Sequence, residues 1–141
     1  MMVVLDTTFL ALHYFSTEAE VLSKTRSILN NCRKLGNKGI LPTMVLAEFY
    51  ALTHKRAGKD VAERRFSEIV ESGLHVVELS AEISRQAGVI RRKYEEKIPW
   101  GDCIIAATSL VNKAEFVITE DSHFQQIKEV RARKLGELGF R

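Results

Sequence analysis

The chain has 141 residues, a length that supports one cored unit rather than two, so a single domain over residues 1–141 is expected. Hydrophobic residues make up 45% and charged residues 28%, usage that disfavours intrinsic disorder, collagen-like repetition and coiled-coil bias. Lysine and arginine number 21 against 18 acids, a formal charge of +3 that permits nucleic-acid binding without demanding it.

The chain opens Met1-Met2-Val3-Val4-Leu5 directly into Asp6, with no basic region ahead of a sustained apolar one, and no segment approaches the roughly 20 apolar residues of a membrane span. A soluble cytoplasmic protein is expected. Val3-Val4-Leu5 reads as a buried strand whose carboxyl end turns into a helix through Thr7-Thr8-Phe9-Leu10. From Glu18 to Leu35, Val21, Leu22, Thr25, Ile28, Leu29, Cys32 and Leu35 keep helical spacing, and Gly36-Asn37 supply a stop. Gly39 to Pro42 predicts a second strand, Thr43 the N-cap of a helix to about Ala57, and Asp60 the cap of another through Ser72.

Leu74 to Leu79 carries the next strand signal, and Ser80 opens a helix with Ile83, Ala87, Ile90 and Tyr94 on one stripe; Pro99 closes that helix or its trailing loop. From Asp102 to about Lys113 the apolar residues run nearly round the helix, which predicts a covered, central position. Phe116 to Thr119 is a strand, followed by a short helical stretch from Ser122 and an edge strand between Val130 and Leu135. Cys32 and Cys103 have no spacing for a zinc site or a disulfide framework and read as reduced thiols. Alternating strands and helices give an α/β fold with a parallel sheet, whose ligands gather outside the carboxyl ends of the strands.

Asp6 ends the first strand and Asp121 lies just past the fourth, so both project from one sheet edge, although either alone is explained as a cap or turn former. Glu48 lies within the apolar stripe of Val45, Phe49 and Leu52, which aims a carboxylate inward. Such a carboxylate is protonated, paired with a base, held at the stripe's edge or bound to a metal. Asp102 in Pro99-Trp100-Gly101-Asp102 reads in isolation as an N-cap. Together the four acids converge on one cleft, where their mutual repulsion is relieved by a divalent cation; oxygen-only ligands point to Mg²⁺ or Mn²⁺ rather than zinc.

The sequence resembles the PIN domains, and within them the toxin ribonucleases of VapBC-type toxin–antitoxin pairs. The matching segments are Val4-Leu5-Asp6-Thr7-Thr8, Val45-Leu46-Ala47-Glu48-Phe49, Asp102-Cys103-Ile104-Ile105-Ala106-Ala107 and Thr119-Glu120-Asp121-Ser122-His123-Phe124. Thr8, where the family often has Ser or Asn, and Cys103, where it often has Ala, depart from the pattern without removing a ligand oxygen. The resemblance implies a three-layer α/β/α sandwich, with Asp6, Glu48, Asp102 and Asp121 as the metal-binding quartet and Thr119 in a supporting role. Asp121 rather than the adjacent Glu120 is its fourth acid. It further implies RNA phosphodiester hydrolysis, an antitoxin partner that inserts a segment near the site, and a homodimer. Asp6 and Asp102 are expected as direct ligands, with Glu48 and Asp121 direct or water-mediated.

RNA phosphates would be met by Arg91, Arg92, Lys93 and Lys97, or by Arg131, Arg133 and Lys134, unless these are solvated helix faces. Trp100 is either a base-stacking platform or core packing. Phe15, Val21, Phe49 and Leu52 suit a partner surface or the core equally, and His13, His54, His75 and His123, lacking paired ligand spacing, are read as structural or surface residues. A stand-alone RNA-processing PIN nuclease is the alternative within the class. A phosphatase is disfavoured because no acid stands two residues after Asp6, and a receiver domain because Glu48 lies inside a helix. An interaction module holding a partner's arginine in the acidic cleft would be indifferent to metal.

Overall fold

The computed structural model describes residues 1–138. Five strands, β1 (Met2–Leu5), β2 (Lys38–Pro42), β3 (His75–Val77), β4 (Phe116–Ile118) and β5 (Ala132–Arg133), form one sheet in the order β3-β2-β1-β4-β5. Every pairing is parallel, with Val3 opposite Gly39 on one side of β1 and opposite Phe116 on the other. Val3, Val4 and Leu5 are all shut off from solvent, which on a strand with alternating faces requires cover on both sides. That cover comes from α1 (Thr7–Phe15), α2 (Ala19–Cys32), α3 (Thr43–Ala57), α4 (Lys59–Val70), α5 (Ala81–Lys93) and α6 (Trp100–Val111), which complete a three-layer α/β/α sandwich.

The chain builds outward from β1 through β2 to β3, then returns to place β4 on the other side of β1. The order of the strands therefore reverses between β1 and β4, the point at the carboxyl edge where an open parallel sheet leaves a crevice. Asp6 leaves β1 with its amide donating to Ile118 O at 3.2 Å, so the start of α1 is tied to the end of β4. Helix α6 is buried nearly all round, from Gly101 through Ser109 apart from Ile104, as its encircling apolar residues predict.

The local differences from the sequence reading have physical causes. Helix α2 stops at Cys32 with Arg33 as its cap, so Leu35 falls past the helix, in the turn that Gly36 closes with φ +87°, and stands fully exposed. Pro42 is both the last residue of β2 and the residue capping α3, so Thr43 is helical and caps nothing. Gly58 holds the cap position of α4, leaving Asp60 in the first turn where its charge meets the positive helix end. Pro99 likewise takes the cap of α6, so Asp102 is not an N-cap but the third residue of the helix. Ser80 does cap α5, its Oγ accepting from Ile83 N at 3.1 Å. The strands expected over 74–79 and 130–135 shorten to His75–Val77 and Ala132–Arg133.

Candidate metal centre

Asp6 is 3% exposed, and its Oδ2 accepts from Thr119 Oγ1 at 2.6 Å and from Thr8 Oγ1 at 3.1 Å. Each hydroxyl has one proton and spends it on the carboxylate, so the 3.3 Å between the two hydroxyl oxygens is a contact. Their lone pairs are used as well: Thr8 Oγ1 accepts from Glu120 N at 2.9 Å and Thr119 Oγ1 from Asp121 N at 3.0 Å. The two threonines thus stitch the start of α1 to the turn after β4 and fix Asp6 between them. Burial raises the Asp6 pKa above its ordinary value, against the lowering by these hydrogen bonds, and the charge of Asp121 raises it further.

Glu48, half-buried on α3, reaches the same crevice, where its Oε1 accepts from Thr7 Oγ1 at 2.8 Å. Its Oε2 lies 2.9 Å from where a side chain on Gly101 would begin, so the glycine leaves the room the carboxylate occupies beside α6. Burial raises its pKa, opposed by the Thr7 bond and reinforced by Asp6 and Asp121. Asp102, in the first turn of α6, is pushed up to about 7 by burial and then by the charges of Asp121 and Asp6; His123 opposes the shift and Glu48 adds to it. The crevice therefore brings the four acids close enough for the charge of Asp121 to raise the pKa of Asp6, Glu48 and Asp102, with Asp6 and Glu48 outside the tighter group that Asp102, Asp121 and His123 form.

The neighbouring acid is used differently, since Glu120 Oε1 accepts from Leu135 N at 3.1 Å and braces the turn against the chain after β5. Asp121 Oδ1 accepts from His123 N at 2.9 Å, an Asx turn that folds the histidine back over the acids. His123 Nδ1 then lies 3.0 Å from Asp121 Oδ1 and 3.2 Å from Asp102 Oδ2. One potential ligand atom from each of Asp102, Asp121 and His123 falls within 4.8 Å of the others. Sequence reading set this histidine aside for want of a paired spacing; its signal is the Asp121-Ser122-His123 turn next to a strand end, which becomes visible only once Asp102 is placed opposite.

Around the crevice, Trp100 is 51% exposed rather than core, with the Arg91 guanidinium 4.9 Å over its ring. Arg91 is itself anchored to Ile98 O at 2.7 Å, while Arg92, Lys93 and Lys97 face Glu96, Glu129 and Glu95. Phe49 is core, whereas Phe15 and Val21 line a shallow depression with Leu12 and Arg56. His13, tied to Thr25 Oγ1 at 2.9 Å, lies among the helices.

The model of the PIN domain family matches residues 3–130. The chain belongs to the PIN domain family. Among solved structures it is similar to VapBC2 from Rickettsia felis bound to a promoter DNA fragment, at 20% identity over 95% of this chain and 98% of that one, with a TM-score of 0.75. It is similar also to the Mycobacterium tuberculosis toxin VapC20, which cleaves the sarcin-ricin loop, at 19% identity over 92% and 98% of the two chains, TM-score 0.71. A third likeness is to FitAcB from Neisseria gonorrhoeae, at 16% identity over 97% and 100%, TM-score 0.71. At these identities the likenesses establish a shared PIN fold over nearly the whole chain. No curated protein sequence matches significantly.

Proposed function

We propose that this PIN domain is a divalent-metal-dependent endoribonuclease that hydrolyses RNA phosphodiester bonds and acts as the toxin of a toxin–antitoxin pair. The observation that carries the reading is the gathering of Asp6, Glu48, Asp102 and Asp121 from separate elements at the sheet's change of direction, with Asp102 pushed up to about 7. Three carboxylates, Asp6, Glu48 and Asp102, whose ionisation is opposed by burial and by the charge of Asp121 fit a divalent cation, whose charge favours the state they otherwise resist. The hard oxygen donors suit Mg²⁺ or Mn²⁺.

Asp6 and Asp102 would ligate directly, and Glu48 and Asp121 directly or through water. Mg²⁺ or Mn²⁺, when bound, supplies Lewis acidity and lowers the pKa of an attacking water. The chain's own residues orient the ligands. Thr119 and Thr8 hold Asp6 in one rotamer, Thr7 does the same for Glu48, and the Asx turn presents Asp121. Arg91 and its neighbours on α5, or Arg131, Arg133 and Lys134, would carry the phosphate backbone; the surface ion pairs of Arg92 and Lys93 are weak enough to exchange for phosphate.

The likeness to the toxin VapC20 and to VapBC structures supports the toxin role and with it an antitoxin partner; a homodimer is proposed alongside from the sequence resemblance alone. No helix among the described residues is long and apolar enough to cross a membrane. The proposal places the activity in the cytoplasm, on a single domain over residues 1–141. Cleavage of a mixed structured and unstructured RNA by wild type and Asp102→Asn, in Mg²⁺, Mn²⁺ and EDTA, tests the reading. Cutting that needs metal and is lost in the variant is expected. No cutting, together with no cation binding by calorimetry, would leave an interaction module in its place.

A further inference from the structure

The imidazole of His123 is the one nitrogen donor that the candidate metal centre holds among the described residues. Its Nδ1 atom is closed off from solvent and has no hydrogen-bond partner, although the side chain as a whole is 44% exposed. The oxygens of Asp121 and Asp102, at 3.0 and 3.2 Å, are near enough to bond but lie off the direction in which the nitrogen donates or accepts. A simple imidazolium clamp would align its proton with one of them. Adjacent ligand atoms on an octahedral ion with bonds near 2.1 Å stand about 3.0 Å apart, which is the spacing Nδ1 keeps from both carboxylates.

We infer that His123 is a direct ligand through Nδ1, with its proton on the outward Nε2, and that this nitrogen makes the centre select a first-row transition ion, Mn²⁺ or its heavier neighbours, over Mg²⁺. The inference rests on the metal-dependent reading above and adds a residue and a selectivity to it. Mg²⁺ is hard and prefers oxygen, whereas imidazole raises the affinity of transition ions, so one nitrogen among carboxylates separates ions that an all-oxygen site treats more alike. The Asx turn at Asp121 is what delivers it: the same carboxylate that faces the centre fixes the backbone amide of His123 at 2.9 Å.

The test is electron spin-echo spectroscopy of Mn²⁺ on the full chain, with calorimetric titration of Mn²⁺ and Mg²⁺ separately, for wild type, His123→Ala and His123→Gln. Asp6→Asn locates the ion, and circular dichroism establishes that each variant is folded. The expected result is modulation from a directly bound ¹⁴N in the wild type, lost in both His123 variants. Mn²⁺ affinity should fall about tenfold and Mg²⁺ affinity less than about twofold. Mn²⁺ bound at the Asp6-dependent site without ¹⁴N modulation, or equal losses for both ions, would overturn the inference and leave the nuclease reading standing. Failure of the wild type to bind either ion would overturn both.

Discussion

Thr119 does more for the centre than its neutral side chain suggests. It gives its proton to Asp6 at 2.6 Å and takes the amide of Asp121 at 3.0 Å, so one hydroxyl sets the positions of two acids. Thr119→Val keeps the volume and removes both bonds, leaving the buried carboxylate with the longer Thr8 hydroxyl at 3.1 Å as its side-chain donor beside the Thr7 amide. The expected cost is about 1–3 kcal/mol in denaturant unfolding and a roughly 10- to 100-fold loss of Mn²⁺ affinity by calorimetry. Thr8→Val should lose less of each, and Mn²⁺ binding by Thr119→Val at wild-type strength would mean that Asp6 needs no orientation. At this scale the four acids were legible because carboxylates at strand ends and in apolar stripes are conspicuous. Thr7 and Thr8 were not, since a threonine that donates to a carboxylate looks in sequence like any helix-start residue.

Two glycines show how the elements divide the work between fold and site. Gly39 in β2 lies where an added Cβ would come within 2.8 Å of Cys32 on α2 and of Leu74 just before β3. Both neighbours are core, so Gly39→Ala should destabilise by about 1–3 kcal/mol while leaving cation affinity of the folded protein unchanged. Gly101 in α6 instead abuts the tip of Glu48 at 2.9 Å and Met44 Cε at 3.3 Å, flexible ends that can move. Alanine is the better helix former by about 1 kcal/mol, so Gly101→Ala should melt at or above the wild-type temperature. Its Glu48 carboxylate must shift, however, and Mn²⁺ affinity should drop about tenfold. Melting curves and titrations on the pair would separate the roles, and a Gly101→Ala protein with full affinity would place Glu48 outside the ion's reach. Element boundaries were legible where chemistry marks them once, as Ser80 does for α5. They were misread where proline serves strand and helix together at Pro42, or where Pro99 moves the helix start ahead of Asp102.

For the whole molecule, a parallel sheet is what turns scattered acids into a centre: every strand delivers its carboxyl end to one edge, and the change of direction beside β1 leaves that edge open. That much follows from the alternation of strand and helix signals, whereas the approach of His123 to Asp102 depends on a turn after β4 meeting a helix from elsewhere in the chain. The convergence has a thermodynamic signature. Asp102 titrates at about 7 in the folded protein against an ordinary 3.8, so between those values the native state holds more protons than the unfolded one. Stability of the metal-free protein must therefore fall as pH rises through this window, and Asp6 and Glu48, also raised, act with the same sign. Allowing for water at the mouth of the crevice, the Asp102 contribution should be about 1–3 kcal/mol. In EDTA, Asp102→Asn should accordingly gain stability over wild type at pH 8 and gain little at pH 5, read as the difference between two denaturant series. Saturating Mn²⁺ should invert the trend in the wild type, since protons and cation compete for the same oxygens and the ion stabilises most where the carboxylates are ionised. A wild-type protein whose EDTA stability tracks that of Asp102→Asn across the whole range would show that the acids do not strain one another, and the electrostatic case for a cation in this crevice would fall.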